Sequence, residues 1–360
     1  YGLRDASRQW YLKVKETLLS LGCAQSTLDP GVFFFKDGKG LLCGVIGLHV
    51  DDFIHAGNAA FNSIVIESVL NTFKVGKNEK SAFMYTGFYI HQDKEGIVLD
   101  QENYTKNVIE VPDINIDRVK AKTEPLNESE RSLLRKMTGS INWVVRATRP
   151  DLSFEMIELS TKFKSGTVED LIRAKKCLLN IKQFESAIRI PDLGNPRYWE
   201  IVCYTDASLG NLNNGIDSAG GHIVFLLNTQ TNRVAVLDWQ ANKIKRVVRS
   251  TLAAETLSLC EGLESAIFFA DFLHEILHLK QSLPVRGVID NKSTTEAVRS
   301  TTVVSDKRLR RDIASVKEML TCGYVKQIDW VPGDQQLADV LTKRGVNGSK
   351  LLSVIQKGII

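Results

Sequence analysis

Ile201-Val202-Cys203-Tyr204-Thr205-Asp206-Ala207-Ser208 decides how this chain is read. Residues 201–205 carry β-branched and aromatic side chains without helical spacing, which predicts a buried strand ending at Asp206. A carboxylate there costs desolvation unless it is paired or holds a cation. Working outward, residues 221–227 and 234–239 read as two more strands, 250–264 as a helix and 285–290 as a buried strand. A helix over 306–320, a strand over 325–331 and a short helix over 336–343 complete an α/β unit of one domain length. Three further acids take matching places: Glu255 one turn into the first helix, Asp290 ending the fourth strand, and Asp339 inside Leu337-Ala338-Asp339-Val340-Leu341-Thr342-Lys343.

Each acid alone has an ordinary reading. Asp206 suits a turn, Glu255 an exposed helix face, Asp290 a helix cap before Lys292, and Asp339 a solvated helix start. Their order and shared apolar context favour a site, whereas Glu261 and Glu264 read as surface charge. Four clustered carboxylates repel one another, and a divalent cation removes that penalty. Oxygen ligands without Cys or His nearby point to Mg2+ or Mn2+ rather than zinc. Two such ions about 4 Å apart suit hydrolysis of a phosphodiester.

The chain of 360 residues is long enough for about two or three compact units. With 43% hydrophobic and 24% charged residues it can bury cores, which excludes a disordered class. No run of about 18 apolar residues predicts a spanning helix, so a membrane partner is not expected. Lysine and arginine total 46 against 42 acids, a net +4 that permits a polyanionic partner without requiring one. Cysteines 23, 43, 177, 203, 260 and 322 form no CxxC pair, so neither a disulfide framework nor zinc is indicated. A reducing, intracellular setting rather than secretion is expected, and the start at Tyr1 suggests a piece of a longer chain.

Toward the N-terminus, residues 7–21 have helical spacing and stop at Gly22. Strands are predicted over 32–35, 41–50 and 53–56, with Asp51-Asp52 at a hairpin tip, then a helix over 58–71. Further strands are expected over 83–90 and 96–99, and helices over 129–163, broken at Arg149-Pro150, and 168–184. Residues 187–198, carrying Pro191, Gly194 and Pro196, read as a domain boundary. An Asp-Asp turn by itself is more often surface than site, and His55 and His91 lack partners at ligand spacing. Lys243, Lys245, Arg246 and Arg249 form one basic cluster, and Lys307, Arg308, Arg310 and Arg311 another. Each suits phosphate contact or a solvated face.

The motifs of the C-terminal unit resemble the ribonuclease H domain of copia-type LTR retrotransposon Pol polyproteins. Tyr204-Thr205-Asp206-Ala207 is similar to the family's opening aspartate motif, and Arg249-Ser250-Thr251-Leu252-Ala253-Ala254-Glu255 to the lead into its catalytic glutamate. Ile289-Asp290-Asn291 and the Leu337 to Lys343 motif complete the match. Asp51-Asp52 resembles the palm hairpin of the family's reverse transcriptases, with His49 where tyrosine is usual. Tyr1-Gly2-Leu3-Arg4-Asp5-Ala6-Ser7-Arg8-Gln9-Trp10 and Thr148-Arg149-Pro150-Asp151-Leu152-Ser153-Phe154 are similar to two further blocks, so the likeness runs from residue 1 to about 344. The family's first metal-binding aspartate lies upstream of the Tyr1 segment.

The resemblance implies a multidomain α/β and α+β chain: a partial reverse-transcriptase palm at 1–115, a helical thumb or connection at 116–195, a ribonuclease H-like domain with a mixed five-stranded sheet at 196–345, and a tail at 346–360. It implies that Asp206, Glu255, Asp290 and Asp339 hold two Mg2+ or Mn2+ ions, that water attacks the phosphate, and that the RNA strand of an RNA:DNA hybrid is cut. Asp51 and Asp52 would be polymerase metal ligands in an incomplete site, so DNA synthesis by this fragment is expected to be poor or absent. Primer–template and the rest of the polyprotein are the implied partners, in a cytoplasmic virus-like particle or the nucleus, with oligomeric state open. Residues 1–115 alone are expected to be poorly ordered. A silent relic that binds nucleic acid or a host partner is the alternative, and a DNA-cutting or strand-transfer nuclease of the same fold a third reading.

Overall fold

The computed structural model describes residues 4–184, 186–213, 215–301 and 304–360. They divide into two compact units, Tyr1–Tyr85 with Phe268–Leu283, and Thr86–Ile267 with Pro284–Ile360.

In the first unit the helix Ala6–Ser20 buries Val14 and Leu18, one helical turn apart, as the spacing predicts. Strands β1 (Ala24–Gln25), β2 (Val32–Lys36), β3 (Leu42–His49) and β4 (Asp52–Gly57) pair in sequence order, leaving β4 as an edge. Phe33, Ile46, Phe61 and Val65 join the two helix residues in the core. A helical run with a π segment at Asn62–Ile66 follows, and then β5 (Ala82–Tyr85). Glu275, from the second segment of this unit, accepts Thr27 N–H at 2.8 Å, Ser26 Oγ–H at 2.6 Å and Thr27 Oγ1–H at 2.8 Å. Lys36 Nζ donates to Glu275 O at 3.0 Å, so four bonds hold that helix segment to the β1–β2 connection and β2.

The second unit contains β6 (Phe88–Gln92), β7 (Gly96–Asp100) and β8 (Ala187–Pro191), paired antiparallel in succession. Its larger sheet holds β9 (Trp199–Leu212), β10 (Asp217–Asn228), β11 (Val234–Lys243), β12 (Val285–Ile289) and β13 (Gln327–Trp330), in the order β11-β10-β9-β12-β13. The pairs β9–β10 and β10–β11 are antiparallel, while β12 is parallel to both β9 and β13. This is the mixed five-stranded sheet that the sequence predicts. The helices Glu128–Val145, Ser153–Thr161 and Val168–Gln183 match the helical middle. Asn127 and Glu130 start the first of them by a reciprocal capping box, each side chain accepting the other's backbone N–H at 2.9 Å.

Within residues 187–198, Pro191 ends an edge strand, where its missing N–H is harmless, and Ile188 shares a core with Phe154, Ile157 and the five-stranded sheet. Four features differ from expectation. Asp206 lies within β9 rather than at its end. The helix after β11 runs through Thr251–Leu277, well beyond residue 264, and Lys292–Arg299 is an additional helix capped by Asn291. The tail expected at 346–360 contains the helix Ser349–Lys357, whose Leu351, Val354 and Ile355 are buried in the same core.

Candidate functional site

Strand register brings the first two acids together. Tyr204 on β9 lies opposite Val288 on β12 in a parallel pair, so Asp206 and Asp290, each two residues further along, emerge side by side on one face. Asp339 reaches them from the helix Asp339–Thr342, packed where Gly221 of β10 leaves room. A Cβ on Gly221 would stand 2.9 Å from Leu341 Cβ. Carboxylate oxygens of Asp206, Asp290 and Asp339 lie within 4.8 Å of one another, the one such group of ligand side chains among the described residues.

Glu255 approaches from the helix Thr251–Leu277, and Gly262, two turns on, lies on the same face. A Cβ at Gly262 would meet Thr205 Cγ2 at 2.5 Å and Cys203 Sγ at 2.9 Å, so the helix rests directly on β9. Gly262→Val is therefore expected to cost about 1–3 kcal/mol of stability and to shift Glu255. Urea unfolding checks this, and an unchanged midpoint would refute the close-packing argument.

Asp206 is 0% exposed, and burial, opposed by Lys343 and the Thr342 hydroxyl, pushes its carboxyl up to about 7. Thr342 Oγ1 donates to Asp206 Oδ2, and Lys343 Nζ donates to Asp206 Oδ1 at 3.1 Å and Asp339 Oδ1 at 2.7 Å. Burial works against the Lys343 charge, but the Asp206 and Asp339 carboxylates hold the ammonium protonated well above its ordinary range. Burial, then Asp206 and Asp290, pushes Glu255 up to about 9, and its Oε2 is buried without a hydrogen-bond partner. Burial also raises Asp290.

These shifts fix the sign of a pH effect. Carboxyls with raised folded-state values keep protons that the unfolded chain releases near about pH 4, so they favour the folded state at low pH and stop doing so as pH rises through those values. In EDTA the melting temperature is expected to fall as pH rises from about 5 toward 9, with a shallower slope in Glu255→Gln. Identical slopes in the two proteins would remove Glu255 from this account.

Side chains outside the predicted set hold the site. Ser258 Oγ lies 2.8 Å from Asp206 O and 3.0 Å from Gly221 O, and accepts Gly221 N–H at 3.1 Å. Gln336 Nε2 donates to Thr205 O at 3.0 Å, fixing the approach to Asp339. Arg344 and Arg173 both donate to Glu158, which ties the chain beyond Lys343 to the helix Ser153–Thr161. The Arg149-Pro150-Asp151 block is structural as well. Buried Arg149 makes a bidentate pair with Asp151 at 2.8 Å and donates to Asn180 Oδ1 and Phe184 O.

The basic clusters converge. Ala253, Leu309 and Ile313 pack together, so the start of the helix Thr251–Leu277 adjoins Lys307–Thr321. Arg246 pairs with Asp312, Arg249 faces Asp306, and Lys243 pairs with Asp217 at 3.1 Å. Arg310 Nε donates to Val304 O, while Lys245, Arg249, Lys307, Arg308 and Arg311 are exposed.

In the first unit, Asp51 lies in the β3–β4 connection and Asp52 opens β4 opposite His49. Both acids are exposed and join no group of three ligand side chains among the described residues. Val50 has φ +56°, a region that β-branched residues disfavour, and Trp10 Nε1 donates to Val50 O at 2.8 Å. Trp10 also packs edge-on against Phe53 and Phe73.

Residues 1–128 match the family described as reverse transcriptase (RNA-dependent DNA polymerase). The retrovirus-related Pol polyprotein from transposon RE1 of Arabidopsis thaliana is 25% identical over 357 residues, covering 95% of this chain and 23% of the relative. That from transposon TNT 1-94 of Nicotiana tabacum is 24% identical over 301 residues, 78% of this chain and 22% of the relative. The chain thus spans about a quarter of the length of these curated relatives. Among solved structures, foamy viral protease-reverse transcriptase in complex with RNA/DNA hybrid is similar at TM-score 0.50 and 14% identity, over 84% of this chain and 37% of that one. An N-terminal RNase H domain of Mycobacterium tuberculosis is similar at TM-score 0.31 and 18% identity, over 43% of this chain and 96% of that one. The chain is a homologue of the retrovirus-related Pol polyproteins of such transposons, and its first 128 residues match the reverse-transcriptase family.

Proposed function

We propose that the second unit is a metal-dependent ribonuclease H that cleaves the RNA strand of an RNA:DNA hybrid. One observation carries this reading: Asp206, Asp290 and Asp339 converge within 4.8 Å on a sheet face, beside a buried Glu255 oxygen that nothing satisfies. The donor set fits a hard divalent cation, since it is all oxygen. The Lys343 ammonium already stands between Asp206 and Asp339, which supports a place built for positive charge. Asp206, Glu255, Asp290 and Asp339 would hold two Mg2+ or Mn2+ ions. Bound there, the ions supply an activated water nucleophile and charge stabilisation at the scissile phosphate.

The chain's own residues supply position. Ser258 and Gln336 hold the β9 backbone on either side of the Asp206 side chain, and the Thr342 hydroxyl fixes its carboxylate. Lys245, Arg249, Lys307, Arg308 and Arg311 provide exposed cations for backbone phosphates, with sequence-independent and salt-sensitive binding. Asp51 and Asp52 would serve polymerisation only with a further carboxylate from the longer protein, whose primer–template would then be a second substrate.

The test is cleavage of a labelled RNA:DNA hybrid by the full chain in Mg2+, Mn2+ or EDTA. The expected result is loss of the RNA strand alone, with 3′-hydroxyl and 5′-phosphate ends, abolished by EDTA. Cutting of duplex DNA would favour the related DNA nuclease. Metal-independent, salt-sensitive binding without cleavage by folded protein would favour a silent binding module.

A further inference from the structure

Lys343 owes its direction to the residue that follows it. The helix Asp339–Thr342 ends at Lys343 with φ −127° and ψ 138°, an extended backbone in which successive side chains point to opposite sides. Lys343 Nζ reaches Asp206 and Asp339 on one side, and Arg344 reaches Glu158 on the other. Arg344 Nε donates to Glu158 Oε2 at 3.1 Å and its Nη2 donates to Oε1, a bidentate grip on a buried carboxylate.

Charge explains why an otherwise solvated arginine is drawn there. Arg173 alone faces three carboxylates, Glu155 at 3.0 Å, Glu158 at 2.7 Å and Asp170 at 3.4 Å. Arg344 supplies a second cation to that cluster, although its own side chain is 61% exposed. The backbone leading to it is held as well. Val340 and Leu341 share a core with Phe154 and Ile157, and Asn211 Nδ2 donates to Thr342 O at 2.6 Å. Lys343 is therefore fixed from both sides, by packing before it and by the Glu158 pair after it.

We propose that Glu158 and Arg344 are positioning residues for Lys343, and that their pair sets how strongly the acidic site takes a divalent cation. The pair keeps the ammonium aimed between Asp206 and Asp339, so an entering cation must displace a lysine whose backbone cannot give way. With the pair broken, states in which Lys343 has left the acids become more populated, and the cation enters against less resistance. The metal half of this inference rests on the reading of the acidic site as a divalent-cation site, and the positioning half does not.

Two variants of the full chain break the pair with opposite changes of charge. Glu158→Gln keeps the size of the side chain and leaves Arg173 with Glu155 and Asp170, while Arg344→Gln alters a mostly exposed residue. Titration calorimetry is expected to show Mn2+ binding about fivefold tighter in both, and no further change when either is added to Lys343→Met. Charge acting through space would instead weaken Mn2+ binding in Glu158→Gln and tighten it in Arg344→Gln, and that opposition of sign overturns the proposal. Arg344→Lys keeps the charge and a donor for Glu158, and is expected to stay near the parent. In EDTA, labelling of Lys343 by an amine-reactive ester, read by mass spectrometry against exposed Lys77, reports the positioning without metal. It is expected to rise about fivefold in both glutamine variants. Faster labelling in a chain that binds no Mn2+ would keep the positioning role and remove the cation reading of the acidic site. Unchanged labelling in both variants, whatever Mn2+ does, overturns the proposal.

Discussion

Asp206→Asn will lower cleavage of an RNA:DNA hybrid by about a thousandfold or more while raising the melting temperature of the metal-free protein. The substitution keeps the size and shape of a side chain that is 0% exposed, so packing is preserved. It removes the carboxylate whose two oxygens accept from Lys343 and from the Thr342 hydroxyl, and with it a principal ligand of the proposed ions. The same carboxyl is held above its ordinary range by burial, so a neutral amide suits the metal-free fold better than the ionised acid. Cleavage assays and thermal melts in EDTA and Mg2+ read both effects. Activity within about tenfold of the parent would exclude Asp206 from the chemistry, and a lower metal-free melting temperature would refute the electrostatic argument.

The second large effect concerns Lys343. Its ammonium bridges Asp206 and Asp339 at 3.1 and 2.7 Å, where a divalent cation is proposed to bind, so it acts as a tethered competitor for that place. Lys343→Met is expected to lower metal-free stability by about 2 kcal/mol, less than a fully buried pair because the side chain is one-third exposed. It is also expected to tighten Mn2+ binding about tenfold, because binding no longer requires displacing the lysine. Titration calorimetry with Mn2+ and melts in EDTA check the two halves separately. Unchanged or weaker Mn2+ binding would show that the lysine supports the ions instead of competing with them.

Much of this site was legible because its acids interrupt or follow apolar segments, where a carboxylate needs a reason to be present. Asp206 and Asp290 follow Ile201-Val202-Cys203-Tyr204-Thr205 and Val288-Ile289, and the register of those strands brings the acids together. The supporting residues carried no such signal. Ser258 and Gln336 are ordinary polar residues in sequence, and their partners lie 52 and 131 positions away. Lys343 was inside the motif that identified Asp339, and its position four residues after an acid in a helical segment was the available clue. Pro191 gave no sign of the strand it ends, because proline suits strand edges as well as irregular segments. The helical spacing of Leu351, Val354 and Ile355 was present in a segment read as a tail. In the first unit the hairpin was plain, but the Trp10 bond to Val50 joins residues 40 positions apart and has no local signature.

The clasp between Glu275 and Ser26, Thr27 and Lys36 has a consequence for synthesis on the ribosome. The first unit is interrupted in sequence, and its closing segment, Phe268–Leu283, is translated only after residues 86–267. At about 5–20 residues per second, the nascent β1–β4 sheet waits roughly 10–40 s for the helix segment that completes it. During that interval Ser26, Thr27 and Lys36 have no Glu275 to bind, so the unit encoded first is finished late, and its edge strand must be kept from pairing with other chains until then.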